Sequence, residues 1–171
     1  MGQTLRVAGL LTESIVDGPG IRAVLFLQGC LRRCPGCHNP QTWDMDGGRE
    51  MEASDIFRAI RSVPLVRGVT FSGGEPFLQA RELAPLARAL KGSGYELASY
   101  TGFLFGDLLN GPDAARELLG HLDVLIDGPY VEEERSLELR FRGSRNQRIL
   151  DVQASLAAGR AVLSSDRRWT G

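Results

Sequence analysis

The sequence predicts an α/β fold, a single domain over residues 1-171 whose mostly parallel sheet curls into a partial (β/α) barrel open on one side. Three observations carry this. Short apolar runs alternate with helix-spaced apolar stripes, the pattern of strand and helix units laid on a parallel sheet. Several of the runs end in glycine-rich or aspartate-containing turns, and loops at the C-terminal ends of such strands are where ligands bind. A complete eight-fold barrel takes roughly 250 residues, so a chain of 171 can build only part of one.

The elements follow in order. Ala23-Val24-Leu25-Phe26-Leu27 reads as a fully buried strand that runs straight into a cysteine loop. Ile56, Phe57, Ile60 and Val63 are spaced for one face of a helix, and Val69-Thr70-Phe71 is a brief strand ending in Ser72-Gly73-Gly74-Glu75-Pro76. Leu83, Leu86, Ala87 and Leu90 form a second stripe, in which Pro85 predicts a kink or a late helix start. Tyr95 to Tyr100 is the next strand, Ala114 to Leu122 a helix, and Val124-Leu125-Ile126 a strand entering Asp127-Gly128-Pro129. The core spans about residues 5-130. Residues 131-171 form a polar loop, either a lid or a solvated surface, and a C-terminal extension from Val152 to Gly171 whose alanine-rich stretch and Ala161-Val162-Leu163 run either add a helix and a strand or pack on the outside.

Composition narrows the function classes. The chain is 43% hydrophobic and 24% charged, enough apolar residues for one real core. A net charge of -1 argues against a broad basic surface, so no nucleic acid partner is expected. No apolar run approaches membrane-spanning length, and Met1 to Arg6 shows no apolar stretch after a basic start, so neither a membrane nor an export leader is expected. A cytoplasmic, reducing location follows as the expectation.

The three cysteines of the chain fall within eight residues, as Cys30-x-x-x-Cys34-x-x-Cys37. An odd count on one short loop argues for a metal rather than disulfides. Three thiolates can hold three irons of a cubane cluster and leave the fourth open to a small molecule. Zinc is the alternative, with His38 or the distant His121 as fourth ligand of a closed tetrahedron. Cys34-Pro35-Gly36-Cys37-His38 also has the C-x-x-C-H wording of haem attachment, which leaves Cys30 unexplained. One strand–helix unit later, Gly73 and Gly74 permit a close backbone approach to a ligand, and the Glu75 carboxylate can accept hydrogen bonds from an ammonium group. Taken alone, these four residues are also an ordinary turn.

Together these motifs resemble the radical S-adenosylmethionine superfamily, and within it the activating enzymes that install glycyl radicals. The resemblance rests on Cys30-x-x-x-Cys34-x-x-Cys37, Gly73-Gly74-Glu75-Pro76, Val16-Asp17-Gly18-Pro19-Gly20-Ile21-Arg22 and His38-Asn39-Pro40-Gln41-Thr42-Trp43-Asp44. Small size, Tyr100-Thr101-Gly102-Phe103, Asp127-Gly128 and Arg142-Gly143-Ser144 are similar to the members acting on anaerobic ribonucleotide reductase.

The resemblance implies a barrel of the radical S-adenosylmethionine type, a 4Fe-4S cluster held by Cys30, Cys34 and Cys37, and S-adenosylmethionine as second cofactor. Gly73, Gly74 and Glu75 would hold its methionyl end, and Gly36, Cys37 and His38 its adenine. Many superfamily members carry an aromatic residue where this chain has Gly36, which leaves His38 to supply any stacking. The implied reaction is reductive cleavage of S-adenosylmethionine and formation of a glycyl radical on anaerobic ribonucleotide reductase or another glycyl radical enzyme. A metabolite-modifying radical enzyme and a zinc-binding interaction module are the alternatives. No cysteine is left for a second cluster, so a flavodoxin or ferredoxin is the expected electron donor. Asp17 and Arg22 would face the incoming glycine loop, or else form a capped turn and a surface ion pair. Asp127 would contact ligand or cation, or else serve a turn. His121 reads as a helix-end residue.

Overall fold

The computed structural model describes residues 2–171, which build one seven-stranded sheet with helices packed on one face. The strands are β1 (Thr4–Ser14), β2 (Arg22–Leu27), β3 (Arg49–Glu52), β4 (Gly68–Gly73), β5 (Glu96–Tyr100), β6 (Val124–Asp127) and β7 (Arg148–Asp151). Their order is β3-β1-β2-β4-β5-β6-β7, so the sheet has two free edges and is not closed. The centre, β2-β4-β5-β6, is parallel, as the alternation of strands and helices requires. Antiparallel pairs flank it, β1 with β2 and β3 on one side and β7 with β6 on the other.

The helices are α1 (Ala53–Arg61), α2 (Ala80–Gly92), α3 (Phe105–Leu109), α4 (Asp113–His121), α5 (Val152–Ala158) and α6 (Arg167–Thr170). In α1, Ile56 and Ile60 turn inward while Asp55 sits in the first turn and Arg58 and Arg61 in the last, matching the helix dipole. Helix α2 starts at Ala80, so Pro85 lies inside it rather than marking a late start. His121 ends α4 as expected, and burial lowers its pKa. α5 is capped by Asp151, whose side chain accepts from Ala154 N–H, and stopped by Gly159 in the left-handed conformation.

Alternation along the strands divides the sheet into two faces with different jobs. Leu25, Leu27, Val69, Phe71, Leu97 and Leu125 point at α1, α2 and α4 and build the main core with Ile56, Ile60, Leu83 and Leu90. The opposite face carries Phe26, Thr70, Ser72, Ala98 and Tyr100 and is free of these helices. The C-terminal extension covers part of it. Trp169 of α6 is fully buried there with Ala98, Val124, Ile126 and Ile149. Its indole N–H donates to Glu96 Oε1 at 3.3 Å, its ring meets Phe141 edge-on at 5.4 Å, and the Arg22 guanidinium lies over it at 5.0 Å. The Ala161-Val162-Leu163 run makes a single bridge from Leu163 to Leu150, not a full strand. No helix among the described residues is long and apolar enough to cross a membrane.

Candidate functional site

The cysteine loop leaves the C-terminal end of β2 and returns on itself. Gly29 N–H donates to Thr42 O at 2.8 Å, and the buried Gln28 side chain donates to Gln41 O and Asp44 O at 3.2 and 2.7 Å, pinning the far end of the loop. Within it Cys37 N–H donates to Cys34 O at 3.1 Å. Pro35 at the second and Gly36 at the third position, with φ +71°, make this a type II turn that aligns two of the three thiols. Asn39 N–H donates to Cys37 Sγ at 3.4 Å. All three cysteines are free and half-buried, and burial pushes the Cys30 thiol up, with Glu75 adding to the effect.

The two glycines after β4 lie against the base of this loop. Gly74 N–H donates to Leu27 O at 2.8 Å and Glu75 N–H to Gly29 O at 2.9 Å. A Cβ on Gly73, at φ +95°, would stand 2.5 Å from Leu27 O, and one on Gly74 would overlap Gly29 O. The close approach that the glycines permit is therefore between two backbones, which locks the cysteine loop to the turn after β4.

Glu75 has a structural task at the cavity wall. It is 2% exposed, and its carboxylate accepts from Phe77 N–H at 3.1 Å, Thr101 Oγ1 at 2.9 Å and Gly102 N–H at 2.8 Å. It ties the turns after β4 and β5 together instead of presenting a free carboxylate. Burial raises its pKa, against the lowering effect of those hydrogen bonds and of Arg32.

A cavity of about 570 Å³ opens on this side of the sheet, lined by all three cysteines, His38, Gly73, Gly74 and Glu75, and across from them by Asp17, Tyr100 and Gly128. Its size suits a small-molecule cofactor. The polar loop beyond β6 is a wall of it, contributing Tyr130, Phe141 and Arg142. Asn146 Nδ2 holds the loop to Pro129 O at 2.8 Å and Gln147 Nε2 to Gly128 O at 3.1 Å. Phe141 has φ +52°, strained for an aromatic residue and located where the wall faces the cavity.

Sequence reasoning missed Tyr130 and Arg32. Tyr130 packs against His38 at 5.3 Å, so an aromatic pair stands beside Gly36 in place of one aromatic residue in the turn. Arg32 of the cysteine loop lies over Phe103 at 4.7 Å. Tyr130 follows Asp127-Gly128-Pro129 directly, and that neighbourhood was its only signal.

Two expected contacts are corrected. Arg22 forms neither a docking contact nor a surface ion pair: it is 1% exposed, donating to Thr70 Oγ1 at 2.9 Å and Glu96 Oε2 at 2.7 Å beneath Trp169. Asp127 is fully buried, accepting from Phe105 N–H at 2.8 Å and Arg148 Nε at 2.9 Å, which anchors the start of α3 and the edge strand β7. Its carboxylate is spent before any ligand arrives. Asp17 does line the cavity, with Ser14 Oγ donating to its Oδ2 at 2.6 Å.

The 4Fe-4S single cluster domain family matches residues 16–150. The chain belongs to that family. Among its relatives is the anaerobic ribonucleoside-triphosphate reductase-activating protein of Vibrio cholerae, 34% identical over 79% of this chain and 90% of the relative. The protein of that name from Enterobacteria phage T4 is 34% identical over 78% of this chain and 86% of its own. The pyruvate formate-lyase-activating enzyme of Clostridium pasteurianum is 37% identical over 82% of this chain, which spans only 59% of that enzyme. Among solved structures, QueE from Escherichia coli aligns with a TM-score of 0.46 and 20% identity over 58% of this chain and 52% of that one, too slight a likeness to argue from.

This 4Fe-4S single cluster domain thus belongs with the radical S-adenosylmethionine activating enzymes, whose cofactors are a 4Fe-4S cluster and S-adenosylmethionine. The residues fit both groups. Three half-buried thiols from one loop line one cavity. Three thiolates on one loop can each take a different iron of a cubane cluster.

Proposed function

We propose that this chain is an activating enzyme that cleaves S-adenosylmethionine reductively and generates a glycyl radical on an anaerobic ribonucleotide reductase. The observation that carries the reading is the locked pair of loops, cysteines on one and double glycine on the other, opening on one cavity. Tyr100-Thr101-Gly102-Phe103, Asp127-Gly128 and Arg142-Gly143-Ser144, similar to the members acting on anaerobic ribonucleotide reductase, support the reductase as partner.

Cys30, Cys34 and Cys37 would hold the cluster, and the backbone of Gly73 and Gly74 the methionyl end of S-adenosylmethionine. Gly36, Cys37 and His38, with Tyr130 behind the imidazole, would take the adenine. When bound and reduced, the two cofactors together supply a 5'-deoxyadenosyl radical able to take hydrogen from a glycine α-carbon. The protein's own part is positional. Glu75 fixes the turn after β5, the 129–147 loop walls one side of the cavity, and Asp17 lines the space that a glycine loop would enter. The chain has three cysteines, one cluster's worth, so electrons would come from a separate flavodoxin or ferredoxin in the cytoplasm.

Anaerobic reconstitution with iron and sulfide, then reduction and S-adenosylmethionine, tests the reading. Release of 5'-deoxyadenosine, with a glycyl radical detected by electron paramagnetic resonance on the reductase and not on pyruvate formate-lyase, is the expected result. Radical formation on the lyase alone would move the partner, and no cleavage with zinc bound would overturn the reading.

A further inference from the structure

Tyr100 ends β5 on the cavity face of the sheet, its ring packed against the cluster of Ala98, Val124, Ile126, Ile149 and Trp169. Among the described residues no group pairs with its hydroxyl; its carbonyl accepts from Ser99 Oγ at 3.0 Å. The residue lines the cavity, and its hydroxyl is not among the buried polar atoms left without a partner, so the phenol is wetted by the cavity itself. A fixed ring with a free polar tip at a cavity wall is a ready hydrogen-bond donor. Burial, and the nearby Asp17 carboxylate, push the phenol pKa up, so the donor proton stays in place at every working pH.

The position of this donor matters. Tyr130 and His38 pack on each other, whereas Tyr100 stands at the C-terminal end of β5, and all three line the cavity. Two other donors of that wall are already used, Arg142 Nη1 donating to Gln147 O at 3.0 Å and Gln147 Nε2 to Gly128 O at 3.1 Å, while Arg142 Nε is buried without a partner. A glycine residue offers no side chain to grip, so a site that must aim its α-hydrogen can hold only the amide groups on either side. A carbonyl oxygen there needs a donor, and the Tyr100 hydroxyl is an unpaired one whose ring is held on the sheet itself.

Resting on the activating-enzyme reading, we propose that Tyr100 binds the protein substrate, its hydroxyl donating to a backbone carbonyl beside the target glycine. The probe is a synthetic peptide spanning the reductase's radical glycine. With the cluster-free protein, Tyr100→Phe should raise the peptide Kd about tenfold, the worth of one hydrogen bond, with an unfolding temperature equal to wild type. With reconstituted protein and whole reductase, the glycyl radical formed per deoxyadenosine released should fall. Unchanged Kd and unchanged radical yield, beside a wild type that binds and activates, overturn the Tyr100 assignment alone. A tyrosyl signal in wild type that disappears in the variant overturns it too, since the hydroxyl would then be a hydrogen donor. A wild type that neither binds the peptide nor activates the reductase overturns the proposed function first.

Discussion

Gly74 and Gly29 are packed backbone against backbone: a Cβ on Gly74 would stand 2.8 Å from the Gly29 carbonyl carbon and overlap its oxygen. The contact joins the turn after β4 to the root of the cysteine loop, so any side chain at Gly74 separates the two halves of the site. Gly74→Ala is expected to slow S-adenosylmethionine cleavage by roughly a hundredfold, the cost in rate of misplacing reacting groups by about 1 Å. It should destabilise the fold by about 1–3 kcal/mol through overpacking. The rate of 5'-deoxyadenosine release by reconstituted protein checks the first effect and chemical unfolding the second; a wild-type rate would show that the loops can shift without harm.

Glu75 gives a prediction about pH. Burial holds its native pKa above the ordinary carboxylate value, so native protein keeps a proton that the unfolded chain releases first. Stability from this group is therefore present at low pH and is lost as pH rises from the ordinary glutamate range through the raised native value. Glu75→Gln should remove that pH dependence. It should also lose about 1–2 kcal/mol, because an amide NH2 would face one of the three donors now satisfied. Urea unfolding of the cluster-free protein at several pH values separates the two effects.

Trp169 is fully buried though it lies two residues from the last described residue. Trp169→Ala should cost about 3–5 kcal/mol, the range for emptying a large aromatic site, and leave Arg22 and Phe141 without their packing partner. A fall in unfolding temperature measures it. A change under about 1 kcal/mol would mean that α6 is peripheral to the fold.

Asp127 distinguishes a strut from a ligand. Asp127→Asn weakens its pairing with Arg148 and its bond to the first N–H of α3, and should destabilise by about 2–4 kcal/mol, discounted for the partly exposed arginine. S-adenosylmethionine affinity of the folded fraction should stay within about twofold, less than one lost hydrogen bond. Calorimetric binding at a temperature where the variant is folded decides, and a large affinity loss would make Asp127 a ligand contact after all.

The motifs that carry chemistry were legible because they are local. Three cysteines in eight residues need only a loop, and Pro35-Gly36 shapes its turn through two backbone preferences that any sequence reader can see. The parallel core was legible for a similar reason, since strands buried on both faces are continuous apolar runs. Strands β1, β3 and β7 were not: β3 is an exposed edge of charged residues, β7 is bounded by Arg148 and Asp151, and β1 alternates inward and outward residues around Gly9.

By itself, then, the sequence determined the cysteine loop, the double-glycine turn, the order of strands and helices in the parallel core and the count of three cysteines. Only the tertiary structure decided which charged groups are free to act. Arg22 reaches Glu96 across 74 positions of chain, Glu75 reaches Gly102 across 27, and Asp127 reaches Arg148 across 21. A buried charge must find a partner wherever the fold provides one, and that pairing makes struts of Arg22 and Asp127 and gives Glu75 a structural role at the cavity wall. The same long-range packing left Tyr100 with a fixed ring and an unpaired hydroxyl on the cavity wall, a state that no local pattern records.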